Sequence, residues 1–592
     1  MKKILFLLLL STTKCLAQIY FGPTADMYVK SEILFVQQNI NLEANSNLYL
    51  RNNGQLIQGT TLASANTGQG KLSVYQEGTS DNFEYNYWCS PVGNASATVG
   101  NENFGITMLH QPTTSTLSNP ATIVSNYNGT ANPLAISSVW IYKLINANNY
   151  SQWVFVGGAS TIAAGEGFSM KGTSGTDSTN PEGTGIVNNP GSAQRYDFRG
   201  KPNDGNITIN LGANNSTLTG NPYPSALHLN AFLLDSDNVA AGGIAYFWEQ
   251  DKTVNSHYLA AYRGGYGSYS PMSVGVDGVY VPATFNSYNQ DGTLNTTGLS
   301  SSLSIPRRYA PIGQGFVVFA NANGTATFKN AHRVFTKEGV GISQFEKQTK
   351  HTANKTDNND EVSAFQYFKL NTIIDNKFTR QLALAFLPEA TDGVDIGIDA
   401  LNMDTSPPND VAFQIENGNY VIQGVNFDQT KKIPLTVKAT TNATFKFYIP
   451  EVTNFDTSQS IYLYDALDQS YHDIKNEGYQ VTVAPGIYSD RFKITFTSET
   501  LGVVEVSGKQ FIIFQDNSKN SLKVSNPNNI AIKSFRLYDI LGKVVLSKEE
   551  LGADSSFSFS TTGLPNGIYI VEFLTTDSEK LTQKVVISNL IR

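Results

Sequence analysis

Cysteine is almost missing from this chain: Cys15 and Cys89 are the two in 592 residues. Cys15 falls in a leader expected to be removed, so the exported chain keeps one thiol and no internal disulfide. It must be held together by core burial, which domains above about 100 residues can supply. Cys89 lies in Tyr87-Trp88-Cys89-Ser90-Pro91 with no His, Lys or Arg beside it. It reads as a small buried apolar residue rather than a reactive thiol. Histidine is scarce too, with six in the chain and no two at H-E-x-x-H or H-x-H spacing. That removes the zinc-hydrolase signature, and no G-x-S-x-G elbow is present. Charged residues make up 15%, under the usual ~25%. The formal charge is −8 and no basic run occurs. Nucleic acid and anionic membranes are therefore not expected partners. After the leader no stretch approaches 18 consecutive apolar residues, so no transmembrane helix is expected.

What fills the gap is Gly (49), Tyr (29) and Phe (33), with many Asn, Ser and Thr. Tyr, Phe, Val, Ile and Thr favour strands, and Gly and Asn favour turns. This is the composition of an all-β extracellular protein. The length suits about three to five domains.

The leader itself is residues 1–17. Lys2 and Lys3 precede the apolar run Ile4 to Leu10, and Cys15-Leu16-Ala17 offers small residues for cleavage between Ala17 and Gln18. That is a secretory signal peptide. A lipid-anchored Cys15 is the rival, and Lys14 stands where such a signal needs a small residue.

From Ile19 to about Thr61, short alternating runs (Ile33 to Val36, Ile40 to Leu42, Leu48 to Leu50, Leu56-Ile57) are separated by Asn-rich turns. They read as stacked short strands, either solenoid rungs or a plain meander. The whole of 18–343 is β-rich. Within it Tyr87 to Pro91, Val139-Trp140-Ile141-Tyr142 and Gly165-Glu166-Gly167-Phe168 are echoed later. The echoes are Gly220 to Ser225, Ala245-Tyr246-Phe247-Trp248 and Gly313-Gln314-Gly315-Phe316. Two related sub-modules at about 71–200 and 201–335 are one reading, and chance matching in a Gly- and aromatic-rich chain is the other. The G-x-G-F elements lack a third glycine and lead into strands, so they are not nucleotide loops. Their second glycine is expected where strand backbones crowd. Tyr223-Pro224 is a rigid turn and a candidate cis bond, with trans the commoner state.

Residues 344–361 turn polar and charged, and read as a linker. Residues 362–500 alternate again, as a β-sandwich. From 509 to 592 the pattern is a compact seven-stranded sandwich. Ser534 to Val545 reads as a hairpin about Gly542, followed by the turn Pro565-Asn566-Gly567 and a last strand around Lys584 to Ile587. The fold class expected is all-β, several β-sandwich modules in tandem, ending in an Ig-like seven-stranded sandwich.

Three blocks in this last segment carry a family likeness. They are Leu537-Tyr538-Asp539 with Gly542-Lys543, then Leu564-Pro565 with Gly567 and Tyr569, then Lys584 with its Val-Val-Ile. The segment resembles the type A sorting domain of type IX secretion substrates. The family often opens with a Y-P-N-P-like turn, where this chain has Phe514-Gln515-Asp516-Asn517. The resemblance implies passage through the outer membrane of a Bacteroidota-type bacterium. It implies handling by the type IX machinery and its sorting peptidase, with release or surface attachment. Asn221 to Ser225 and the acidic segment Thr391 to Asp404 make the body similar to uncharacterised cargo proteins of the same system.

The densest chemistry-bearing cluster is Asp392, Asp395 and Asp399, followed by Asp404. Three Asp spaced by Gly suit a hard cation, and calcium accepts six to eight oxygens. The rival is a solvated acidic turn, which does not need Asp395 and Asp399 to point one way. Tyr258, Tyr262, Tyr266 and Tyr269 stand among glycines and suit either stacking on glycans or core packing. The leading reading of the body is a non-enzymatic adhesion or glycan-contacting module, at the cell surface or secreted. The alternative is a secreted polysaccharide-active hydrolase, whose carboxylate pair need only meet in space.

If 509–592 is an address that closes its own core, it is dispensable for the fold of the rest. Deleting it is expected to leave a soluble, folded cargo in the periplasm. Cell fractionation in a host with the secretion system checks this, and appearance of the truncated chain in the medium contradicts it.

Overall fold

The computed structural model describes residues 18–60, 62–289, 293–301, 305–339, 341–345, 365–404, 407–498, 511–517, 519–577 and 579–589. The expected signal peptide and residues 346–361 of the expected linker lie outside them. The chain is all-β. Its single α-helix among the described residues, Leu229–Leu233, is one turn long, and no described helix is long and apolar enough to cross a membrane. Two compact units meet in sequence between Phe496 and Thr497.

The first unit opens as a parallel solenoid, which settles the choice against a meander. Strands β1 (Ile19–Phe21), β2 (Asp26–Lys30) and β3 (Ile33–Val36) form one turn. Strands β4 (Ile40–Leu42), β5 (Asn47–Arg51) and β6 (Gln55–Gln58) form the next. Each pairs in parallel with its counterpart: Ile19 beside Ile40, Asp26 beside Asn47, Ile33 beside Gln55. A third turn begins with β7 (Lys71–Glu77), parallel to β5 and antiparallel to strand Arg195–Pro202. The even spacing of apolar residues stacks Ile40, Leu50 and Leu56 inward, where all are buried.

Two antiparallel sheets follow with the same strand order. In one, Tyr85–Cys89 pairs with Gly167–Lys171, which pairs with Tyr142–Lys143 and then Val154–Phe155. In the other, Ser216–Gly220 pairs with Gly315–Phe319, which pairs with Ala245–Gln250 and then Gly264–Ser270. The aromatic run at 139–142 enters its sheet through a 3-10 turn, Ser138–Trp140, rather than as a full strand. The two G-x-G-F elements sit at matching places, with Gly167 opposite Cys89 and Gly315 opposite Gly220. Gly165 and Gly313 take φ of 86° and 80°, which L side chains rarely adopt. At the second glycine backbones crowd, as expected. A Cβ on Gly315 would lie 2.6 Å from the Tyr87 carbonyl carbon and 2.7 Å from the Trp88 nitrogen. The cis peptide bond among the described residues is Asn132-Pro133, not Tyr223-Pro224.

Strands from Gln366–Ile374 to Gly486–Thr495 form one strongly curved sheet of eleven strands. Its core does not stand apart from the preceding sheets. One apolar cluster runs from Phe368, Leu384, Phe413 and Phe492 to Tyr87, Trp248 and Val317. Ser270 Oγ donates to the Gly397 carbonyl at 2.9 Å, and Thr379 N–H donates to Ser300 Oγ at 2.7 Å. The division expected at 344–361 is thus no break in the core. Phe345, inside the expected linker, is buried with its ring 4.6 Å from Trp88. The strands described on either side of 346–361 belong to one unit.

The second unit has the seven strands expected. Three (Ile512–Asp516, Ser521–Ser525, Ser556–Ser560) form one sheet. Four (Ile532–Tyr538, Val544–Gly552, Gly567–Thr575, Lys580–Ile587) form the other. Its own core holds Leu522, Val524, Phe535, Leu537, Val571, Phe573 and Ile587.

The crowding at Gly315 yields a stability test. Gly315→Ala forces a methyl against main-chain atoms that no rotamer change moves, and is expected to cost about 1–3 kcal/mol. Gly275→Ala meets nothing within 4 Å and is expected to stay within about 0.5 kcal/mol. Denaturant melts of the two variants check this, and equal midpoints contradict it.

Candidate functional site: an aromatic cleft

Alternation along the paired strands sends neighbouring aromatics to opposite faces. In Tyr85–Cys89, Trp88 faces the core, against Tyr196 and Phe198. Tyr85 and Tyr87 face the other way. In Ala245–Gln250, Phe247 packs on Phe316, while Trp248 turns toward Tyr87 with ring centres 6.2 Å apart and nearly parallel. Tyr266, directly opposite Trp248 in register, meets it edge-on at 5.2 Å, and its hydroxyl lies 3.1 Å from that of Tyr87. The outward faces of the two matched sheets therefore converge on a cleft of about 630 Å³. Its wall adds Trp140, Tyr142, Tyr150, Trp153, Tyr262, Tyr288 and Phe319, with Leu401, Asn402 and Met403 reaching in from the curved sheet.

Half of the lining side chains are aromatic, and those between them are mostly Asn and Ser: Asn148, Asn149, Ser151, Ser169, Asn214, Ser216 and Asn402. No Asp, Glu, Lys or Arg is among them. The side formed by 401–403 is held by a buried charge network. Arg380 donates to Asp410 at 2.7 and 3.0 Å and to Asp404 at 2.7 Å. Asn402 in turn donates to Asp410 at 3.1 Å. Burial pushes the Asp404 carboxyl up, and the Arg380 guanidinium opposes it.

Beside the cleft, on the sheet face that carries Tyr85 and Ser169, lies a second group. Lys171 Nζ stands 4.1 Å from the Trp140 ring centre and 4.8 Å from that of Tyr85, and 3.2 Å from His257 Nδ1. Burial brings the ammonium down to about 7, against the pull of Asp81 and Glu84. Glu84 is pushed up to about 7 by burial and then by the Asp81 carboxylate. Lys171 packs on the rings of Tyr85 and Trp140 at one end of the aromatic wall.

Of the four tyrosines singled out from sequence, Tyr262 and Tyr266 line the cleft. Tyr258 is exposed, and Tyr269 is buried with its hydroxyl donating to Asn230 at 2.7 Å. Trp140, Trp153 and Trp248 were not singled out as ligand contacts. The recurring aromatic strands at 139–142 and 245–248 were the signal that pointed to two of them.

The structure does not gather Asp392, Asp395 and Asp399 around one point. Asp392 pairs with Lys431 at the surface. The Asp395 carboxylate accepts from the Thr391 N–H at 2.6 Å. Asp399 is buried and accepts from the Asp395 N–H at 2.6 Å and the Gly424 N–H at 2.8 Å. Among the described residues no group of three or more His, Cys, Asp or Glu is placed to hold a metal ion. Lys431 and the N–H groups of Thr391, Asp395 and Gly424 take the oxygens offered to calcium.

In the second unit the motif residues build one hairpin and one turn. The Asp539 carboxylate accepts from the Leu541 N–H at 2.9 Å and the Lys543 N–H at 3.0 Å, and Gly542 closes the turn with φ 78°. Leu537 is buried, and Tyr538 donates to Glu572 at 3.1 Å. Tyr569 is buried and donates to the Pro565 carbonyl at 2.8 Å, which pins the turn that Leu564 and Gly567 flank. Lys543 and Lys584 are exposed.

Comparison with known proteins divides the chain at the same place. The model of a domain of unknown function, DUF8693, matches residues 11–496. That of the secretion system C-terminal sorting domain matches residues 513–588. No curated protein matches the chain. Among solved structures, a biofilm associated protein (BSP domain) aligns at 7% identity and TM-score 0.12, over 88% of this chain and 96% of that one. The extracellular domain of a proposed one component system from B. thetaiotaomicron aligns at 10% identity and TM-score 0.10, over 63% and 60%. At these scores neither likeness bears on the site.

The buried Asp399 supplies a pH test. Burial raises its carboxyl from 3.8 to about 7, so the folded state holds the proton more tightly than the unfolded one. The stability tied to this group is full below 3.8 and is lost as pH rises toward 7, on the order of a few kcal/mol. Asp399→Asn mimics the protonated acid and is expected to flatten stability across that window. Urea melts of both proteins at stepped pH check this, and parallel profiles contradict it.

Proposed function

The chain belongs to the DUF8693 family, and we propose that its first unit is a secreted saccharide-binding module whose site is the aromatic cleft. The sorting domain makes the protein an exported cargo of the type IX system, handled by its machinery and destined for the cell surface or the medium. The cleft supplies the finer reading. Sugar rings present C–H faces that stack on aromatic rings and hydroxyls that pair with amides and hydroxyls. The lining is made mainly of those two kinds of group, with Leu144, Ala147, Leu401 and Met403 between them. Its volume lies in the range of ligand sites, ~300–1,000 Å³. The absence of a charged side chain from the lining favours a neutral saccharide.

The hydrolase reading has less support. Glycoside hydrolysis uses two carboxyl groups facing each other across the bond, about 5–9.5 Å apart, and no lining residue is acidic. Asp81 and Glu84 are not among the lining residues. Adhesion to neutral polysaccharide at the cell surface is the role this module suits.

Trp153→Ala removes a ring from the cleft wall without touching the main-chain pairing. One aromatic contact is worth about 0.5–1.5 kcal/mol, so the Kd for a neutral oligosaccharide is expected to rise up to about tenfold. A glycan array selects the ligand, calorimetry measures the change, and a reducing-sugar assay is expected to show no cleavage. Release of reducing ends, or binding unchanged in the variant, contradicts the reading.

A further inference from the structure

We propose that the first solenoid turn is the contact face of a homodimer, in which two copies of the chain meet end to end about a two-fold axis. The observation is an open end. Among the described residues β1, β2 and β3 each pair along one edge only, which leaves a row of N–H and C=O groups ready for another strand. The core is less covered there as well, although Phe21 and Val36 of the first turn are buried. Ile40, Leu50 and Leu56 in the second turn are buried, with a turn on either side. Their first-turn counterparts in register, Ile19, Val29 and Leu34, are only partly buried. Outside them Tyr20, Tyr28 and Phe35 are exposed by 62%, 42% and 55%. Solenoids need a polar cap at such an end, and among the described residues no segment covers this one.

Charge complementarity names the occupant. The edge strand β2 reads Asp26-Met27-Tyr28-Val29-Lys30. Laid antiparallel on a second copy of itself and centred on Tyr28, it sets Asp26 opposite Lys30 twice and Met27 opposite Val29 twice. Opposite charges directly across an antiparallel pair are favourable and like charges are not. The same rotation brings β1 of one copy toward β3 of the other. Both are apolar, Ile19-Tyr20-Phe21 and Ile33-Leu34-Phe35-Val36, so the partly buried Ile19 and Leu34 of the two copies cover each other. Head-to-tail stacking is not available, because at the far end β7 is already paired with Arg195–Pro202. The contact is self-complementary and stops at two copies. Paired cargo would present two aromatic clefts to one polymer.

Sedimentation equilibrium of the secreted chain at micromolar concentration tests this. The wild type is expected to run at twice the chain mass. Asp26→Lys alone and Lys30→Asp alone each set like charges opposite one another and are expected to halve it. The double variant Asp26→Lys with Lys30→Asp restores complementarity and is expected to recover the dimer. Thermal melts of the variants report that the fold is kept. A monomeric wild type overturns the proposal. So does a dimer that both single variants leave intact, or one that the double variant does not restore.

Discussion

The first unit depends on a close approach of main chains that only glycine permits. Gly167, Gly220 and Gly315 lie where the two matched sheets run into each other. A Cβ on Gly220 would sit 2.4 Å from the Gln314 carbonyl oxygen and 2.6 Å from Cys89 Cβ, and one on Gly167 would sit 2.7 Å from the Thr219 carbonyl oxygen. The Cys89 N–H reaches across to the Gly313 carbonyl at 2.9 Å. With no side chain to hold the strands apart, Tyr85–Cys89 lies against Gly315–Phe319, and the two sheets form one surface. The small buried Cys89 belongs to the same constraint. Burial pushes its thiol well above its ordinary value, so it serves as volume and not as a nucleophile.

Period-2 alternation then divides the aromatics. Each strand sends one set inward to hold the sheet and the other set outward to the cleft. Trp88 and Phe247 do the first, and Tyr87 and Trp248 the second. The curved sheet closes the cleft by presenting 401–403, and the Arg380–Asp404–Asp410 network fixes that edge. A buried charge network of this kind is a weak source of stability but strongly resists losing one partner. It locates Asn402 beside the rings, where a fixed amide contributes orientation. The site is therefore assembled from both sides of residues 346–364, and neither side alone contains it.

Much of the architecture was legible in the sequence because it rests on local rules. The apolar spacing of 33–57 marked the solenoid strands. The second glycine of each G-x-G-F marked a crowded backbone. Asp539 and Gly542 marked a hairpin whose turn they still close. What local rules do not encode is which faces meet. The polar stretch after Phe345 looked like a domain boundary because it has little to bury, yet the strands on its two sides share one core. The aspartates of 392–399 looked like cation ligands because acidic spacing is visible and the N–H groups that occupy those oxygens are not. The four tyrosines of 258–269 divided between cleft, core and solvent. For Tyr266 and Tyr269 the outcome depends on register against Ala245–Gln250, which no single strand contains.

The central claim is that this wall of rings is a saccharide site. Three of the four tryptophans, Trp140, Trp153 and Trp248, line it, and the fourth, Trp88, is buried in the core away from it. Intrinsic tryptophan fluorescence therefore reports on the cleft with little added background. Titration with neutral oligosaccharides of increasing length is predicted to give a saturable change in emission that tightens with length and is absent with charged ones. Emission that stays constant across neutral oligosaccharides at concentrations well above those of ordinary lectin-type binding would contradict the account.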